Sequence, residues 1–353
     1  MNQIATTSSE LGPAQLKPTQ LQVLLAKTIP ARMPILIKGA PGISKTECVR
    51  QASRSANTDL IVMHPVVKNP TDFQGMPWIS NGEASFIPFG DLRKLIEATS
   101  PTVCFIDDLG QASPAVQAAA MQLLLARELD GHRVSDQVVF IAATNRRTDR
   151  AGVLGLLEPV KGRFHSIVEL VPNLSDWVSW AVSAQVAPEI IAFLRFRPEL
   201  FFDFAPTADL TKSPSPRTWH QLSDLIALGL PSDVELPSMQ GAIGEGAATE
   251  FVAFRRVWAS MSSPDLVLTN PDAAAIPNEP SALYAIATAL AYRVTRQSMT
   301  NFCRYLSRMC TAQFEEFAAV SMKLATARDS GLQGTSAYVN AMAGPLGQLM
   351  VGA

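Results

Sequence analysis

Apolar residues in this chain fall into short unbroken runs over its first half and recur at helical spacing over its second. Pro34-Ile35-Leu36-Ile37, Leu60-Ile61-Val62-Met63, Thr102-Val103-Cys104-Phe105-Ile106, Val138 to Ala143 and Ser166 to Leu170 are such runs. They are short for helices and lack the polar alternation of a half-buried strand, so each reads as a strand covered on both faces. Between them lie helical stretches: Thr19 to Lys27 with Leu21, Leu24 and Leu25 on one face, Glu47 to Ala52, and Ala115 to Arg127. Strand and helix in alternation predict an α/β fold built on a parallel sheet. Pro65 to Gly90 shows neither period and reads as irregular.

Beyond Pro172 the pattern is helical throughout. Ser175 is placed to cap a helix running to Ala184, Pro188 to Phe196 forms a second, and Pro216 to Ala227 opens with proline in its first turn. Gly244 to Trp258 is a further helix, Ser262 to Pro280 reads as a connector, and Ser281 to about Thr326 is helical again. The tail is expected to be loosely ordered, as are residues 1–13. These changes of texture divide the chain at 1–172, 173–262 and 263–353, in keeping with about 100–200 residues per domain.

Composition narrows the class. Only 17% of residues are charged while 47% are hydrophobic, a balance that suggests surface buried against other chains. A net charge of −2 gives no electrostatic footprint for nucleic acid. The four cysteines, Cys48, Cys104, Cys303 and Cys310, have no metal or disulfide spacing, which points to a reduced, cytoplasmic setting. The N-terminus has no basic segment followed by an apolar core, so it does not read as a signal peptide. The uncharged stretches Leu109 to Ala126 and Ser330 to Ala353 are too rich in glutamine or in small polar residues to span a bilayer.

Chemistry concentrates at strand ends. Gly39-Ala40-Pro41-Gly42-Ile43-Ser44-Lys45-Thr46 lies between a strand and a helix, the setting of a phosphate-cradling loop. Inward backbone amides and the helix N-terminus attract phosphate; Lys45 would reach the β- and γ-phosphates, and the Thr46 hydroxyl would ligate Mg²⁺. Ser44 occupies a position where the usual pattern has glycine. The third strand ends in Asp107-Asp108, the first suited to the Mg²⁺ shell and the second to orienting an attacking water. Asn145, after the fourth strand, can donate and accept, and so can hold that water. Arg163, just before the fifth strand, would serve chemistry only at a neighbouring subunit's site, with Arg147 and Arg150 as alternatives. Arg217 sits in the first turn of a helix, electrostatically a poor place for a cation unless it has another task. Taken singly, each has an ordinary structural explanation: a Gly/Pro turn, an acidic turn, a surface ion pair, a solvated arginine.

In this order the segments resemble an AAA+ ATPase, and more narrowly its MoxR branch. Asp72-Phe73-Gln74-Gly75-Met76-Pro77 is similar to that branch's D-x-x-G-x-P segment, Val116 to Leu124 to its helix after the acidic strand, and Phe193-Leu194-Arg195-Phe196-Arg197-Pro198 with Ser215-Pro216-Arg217-Thr218-Trp219 to its lid. The resemblance runs from about Leu16 to Trp258 and more faintly onward. It implies an αβα sandwich of sheet order 5-1-4-3-2, an all-α lid and a helical C-terminal extension. It further implies a hexameric ring that binds ATP and Mg²⁺ and hydrolyses ATP between subunits, Asn145 and Arg217 as sensors, and Arg163 acting in trans. The partner it implies is a protein with a von Willebrand factor A domain, beside which a target complex is remodelled in chaperone fashion. The Asp72 to Met76 loop, or Ser80 to Phe89, would face the ring's pore or that partner.

Asp108 stands where most AAA+ proteins have glutamate. The missing methylene shortens reach by roughly 1.5 Å, and misplacement of about 1 Å can cost on the order of 100-fold in rate, so slow turnover is expected. Two other functions compete with the remodelling ATPase. One is a nucleotide-gated assembly platform with little turnover; the other, less favoured by the charge balance, is a DNA-directed motor.

Overall fold

The computed structural model describes residues 14–80, 83–129, 131–149, 152–207 and 209–351. The chain forms two compact units, Met1–Asn173 and Leu174–Ala353.

The first unit runs β1 (Gln15–Leu16), α1 (Pro18–Thr28), β2 (Ile35–Lys38), α2 (Lys45–Ser55), β3 (Asp59–Met63), α3 (Thr71–Gln74), β4 (Met76–Ser80), β5 (Glu83–Ile87) and α4 (Gly90–Ile96). It continues through β6 (Thr102–Ile106), α5 (Pro114–Ala126), β7 (Glu128–Leu129), β8 (His132–Arg133), β9 (Val138–Thr144), α6 (Glu158–Lys161) and β10 (Ser166–Leu170). Six strands form one parallel sheet in the order β1-β10-β2-β9-β6-β3. The five long strands therefore take the expected order 5-1-4-3-2 in a parallel α/β fold. Every residue of the central β6 and β9 is buried, which is why these strands carry no polar alternation. The edge strand β3 begins exposed at Asp59.

In the first unit two features differ from expectation. The two-residue strand β1 extends the sheet beside β10, pairing Gln15 with Glu169, and is too short to leave a periodic signal. The region from Pro65 to Gly90 contains α3 and an antiparallel hairpin of β4 and β5, paired from Met76↔Ile87 to Ser80↔Glu83. Apolar residues lie on both faces of the hairpin and several are exposed, Trp78 at 57% and Ile79 at 73%, so no alternation marks it. The His132 ring shares a hydrogen bond of 2.7 Å with the Phe86 carbonyl of this hairpin.

The second unit is helical: α7 (Leu174–Ser183), α8 (Pro188–Phe196), α9 (Pro216–Ala227), α10 (Ser232–Ile243), α11 (Glu245–Ser260), α12 (Pro264–Thr269), α13 (Pro280–Arg293), α14 (Met299–Thr311), α15 (Glu315–Arg328), α16 (Ser336–Met342) and α17 (Pro345–Val351). A single hydrophobic core joins residues from Trp177 to Leu346, with Trp219, Phe193 and Phe251 in mutual ring contact. Ser215 and Thr218 form the reciprocal cap of α9: the Thr218 amide donates to the Ser215 hydroxyl, and the Ser215 amide donates to Thr218 Oγ1. Ser175 lies inside the first turn of α7 rather than capping it. The expected connector holds α12. The tail is helical and anchored, with Leu332 and Leu346 buried in the core. Among the described residues, no helix is long and apolar enough to cross a membrane.

Candidate nucleotide and metal site

Parallel β2, β9 and β6 lie side by side, so their C-terminal ends share one edge of the sheet. That is the edge at which open α/β sheets bind ligands. The loop Gly39–Ser44 leaves β2 there and enters α2 at Lys45. The Gly39 amide donates to the Thr144 carbonyl at 3.2 Å. A Cβ on Gly39 would lie 2.8 Å from the Leu170 carbonyl oxygen, so the loop passes too near β10 for any side chain. Ser44 adopts φ +70° and ψ +32°, the left-handed conformation that glycine would take at lower cost, and its hydroxyl caps nothing.

Lys45 is buried, and its ammonium donates to the Gly39 and Ala40 carbonyls, each at 2.9 Å, and to Asn145 Oδ1 at 2.6 Å. Asn145 Nδ2 in turn donates to Asp108 Oδ1 at 3.2 Å. An ammonium only donates and a carboxylate only accepts, so the two neighbours fix the orientation of this amide. Thr46 Oγ1 donates to Asp107 Oδ2 at 2.8 Å. Asp107 is 9% exposed, and its Oδ1 accepts the backbone amide of Asp108 at 3.1 Å. Asp108 itself turns the chain in the left-handed region, at φ +58° and ψ +34°. Loop and acidic turn are thus joined at two points: a hydroxyl on a carboxylate, and a lysine–amide–carboxylate relay.

The donor set can be tested against a metal. Thr46 and Asp107 offer a hydroxyl and a carboxylate, hard oxygen ligands. Among the described residues there is no group of three or more His, Cys, Asp or Glu side chains placed to hold a metal. Mg²⁺ fits such a site, because it takes one or two protein oxygens and fills the rest of its shell with water and substrate phosphate. On the same strand, burial pushes the Cys104 thiol well above the ordinary thiol range, and it stays protonated as a core residue.

The arginines separate. Arg163 follows α6, is half-buried, and has an Nε that is buried with no hydrogen-bond partner. Arg147 is exposed and lines a cavity of about 500 Å³ together with Asn145, Lys38 and Lys161. Arg150 lies outside the described residues. Arg146, which the sequence did not single out, is committed within its own unit: it pairs with Asp149 at 2.9 Å and Glu169 at 3.3 Å. Its hydrogen bonds to Asp149, working against burial, raise its pKa above the ordinary arginine value. Arg217 belongs to the helical unit and is exposed in the first turn of α9. Gln111 was also missed, though its Nε2 donates to Asp108 Oδ1 at 2.9 Å. Its spacing of three from Asp108 is the one feature of the sequence that could have suggested it, and that spacing brings the two together only because the chain turns at Asp108.

Residues 35–170 match the family described as "ATPase family associated with various cellular activities (AAA)", from the first residue of β2 to the last of β10. This segment is similar to an AAA ATPase domain. The ATPase family protein 2 homolog of Caenorhabditis elegans is 30% identical over 142 residues, which cover 35% of this chain and 18% of that protein. The chain therefore spans less than a fifth of that relative's length. Among solved structures, NtrX from Brucella abortus in complex with ADP is 15% identical, at a TM-score of 0.42, over 88% of this chain and 68% of its own. A RuvB mutant from Thermotoga maritima is 15% identical, at a TM-score of 0.41, over 76% of this chain and 80% of its own.

Proposed function

We propose that this protein is a MoxR-type AAA+ ATPase that binds Mg²⁺ and ATP on the Gly39–Thr46 loop and hydrolyses the terminal phosphate. The observation that carries the reading is the relay Lys45–Asn145–Asp108 standing beside the Thr46–Asp107 pair. Lys45 would exchange its loop carbonyls for β- and γ-phosphate oxygens, and Thr46 and Asp107 would hold Mg²⁺, which neutralises charge on those phosphates. Asp108 is assigned the proton of the attacking water, and Asn145 the link between that carboxylate and the γ-phosphate. Arg163, with its Nε unsatisfied, is assigned to the site of a neighbouring copy in a hexameric ring. Arg217 is assigned a sensing role, residues 173–262 the lid, and residues 263–353 the extension. The partner we infer is a von Willebrand factor A domain protein, and the setting cytoplasmic.

Phosphate release by the purified chain tests the chemistry. The wild type should release phosphate from ATP only with Mg²⁺, and Asp108→Asn should bind ATP yet lose on the order of 100-fold in rate. Equal rates would remove the enzymatic claim. The short reach of Asp108 favours one other outcome, the assembly platform, in which ATP enlarges the oligomer without phosphate release. Size measurement with ATP, with ADP and without nucleotide separates the two.

A further inference from the structure

The carboxylate assigned to the water is held at one oxygen only. Asn145 Nδ2 and Gln111 Nε2 both donate to Asp108 Oδ1, at 3.2 and 2.9 Å, while Oδ2 takes no hydrogen bond from the described residues. Gln111 closes the short helical turn Leu109–Gln111 that follows Asp108, and its backbone amide donates to the Asp108 carbonyl at 3.0 Å. Its side chain is oriented by the carboxylate, which accepts only, so the amide nitrogen faces Asp108 and Oε1 faces away. That Oε1 is buried and has no hydrogen-bond partner.

We propose that Gln111 is the positioning residue that makes Asp108 competent in place of a longer acid. Its donated hydrogen bond, with that of Asn145, pins Oδ1 and leaves Oδ2 for the attacking water. In the step itself the water oxygen bonds to the γ-phosphorus as the bond to the β–γ bridging oxygen breaks. ADP departs, and one water proton passes to Asp108 Oδ2 and from there to the phosphate. The inference rests on the assignment of Asp108 as the water-activating carboxylate.

The test measures ATP affinity, KM and kcat for the full chain. Gln111→Leu removes the donated hydrogen bond at nearly constant size; Gln111→Glu keeps the length but loses the donor. Both should retain ATP affinity and KM within about twofold and lose roughly 10- to 100-fold in kcat, the loss expected of a hydrogen bond to a charged group. In an Asp108→Asn background, Gln111→Leu should cost nothing further, a coupling that a merely structural glutamine would not show. If Gln111→Leu loses ATP affinity, Gln111→Glu decides. If kcat stays near wild type in the binding-competent variant, or if the losses simply add, the role of Gln111 is overturned. If instead the wild type releases no phosphate, or Lys45→Ala and Asp108→Asn release it at the wild-type rate, the ATPase reading fails and takes this inference with it.

Discussion

Two turns frame the site, and each bends through a left-handed residue that is not glycine: Ser44 at φ +70° and Asp108 at φ +58°. The backbones match, yet the side chains do opposite work. The Ser44 hydroxyl caps nothing, and the loop's function falls to its backbone and to Lys45 and Thr46. Asp108 carries the turn and, in our reading, the chemistry, because the same conformation sets its Oδ1 against Asn145 and Gln111. Strain of about 1 kcal/mol is incidental at the first turn and useful at the second.

The comparison breaks most sharply at Asp108. Asp108→Gly removes the strain together with the acceptor, so kcat should fall by on the order of 100-fold or more while thermal stability holds or rises. Retained turnover would mean that the turn's shape, and not its carboxylate, matters. Next comes the metal. Thr46→Val deletes the hydroxyl on Asp107, and we expect a loss of roughly tenfold or more in Mg²⁺-dependent turnover; a magnesium titration should show the deficit as a raised requirement. Gly39→Ala shows where the loop does need glycine. Its Cβ would meet the Leu170 carbonyl at 2.8 Å and the end of Ile43 at 2.6 Å. Forcing the backbone apart should cost about 1–3 kcal/mol, read as a lower melting temperature. Ser44→Gly has the smallest effect: about 1 kcal/mol of added stability with kcat within about twofold, checked by the same melt.

The sequence exposed those parts of the fold whose residues answer to a single demand. β6 and β9 are buried on both faces, so Val103 to Ile106 and Val138 to Ala143 are apolar throughout and legible as strands. The hairpin of β4 and β5 has apolar residues on both faces, several of them exposed, and no period survives there. Helix α10 carries Pro237 in its interior, where proline removes a backbone donor, and local pattern argues against the helix that tertiary packing enforces. The tail is held by a few anchors, among them Leu332 and Leu346, set in small residues that read as loose. In the site, spacing and strand ends located Lys45, Thr46, Asp107, Asp108 and Asn145. The part of Gln111 depends on a left-handed turn at Asp108; aspartate enters that region more readily than most residues, but that preference alone is too weak to place the turn there.

The central claim is that the Lys45 ammonium marks the seat of a triphosphate. Calorimetric titration of Mg²⁺ and ATP into wild type and Lys45→Ala tests it most directly. The account predicts one nucleotide bound per wild-type chain, and an affinity lower by about 100-fold in the variant, as the loss of a charge-assisted contact to phosphate implies. Equal affinities in the two proteins, or heat from neither, would contradict it.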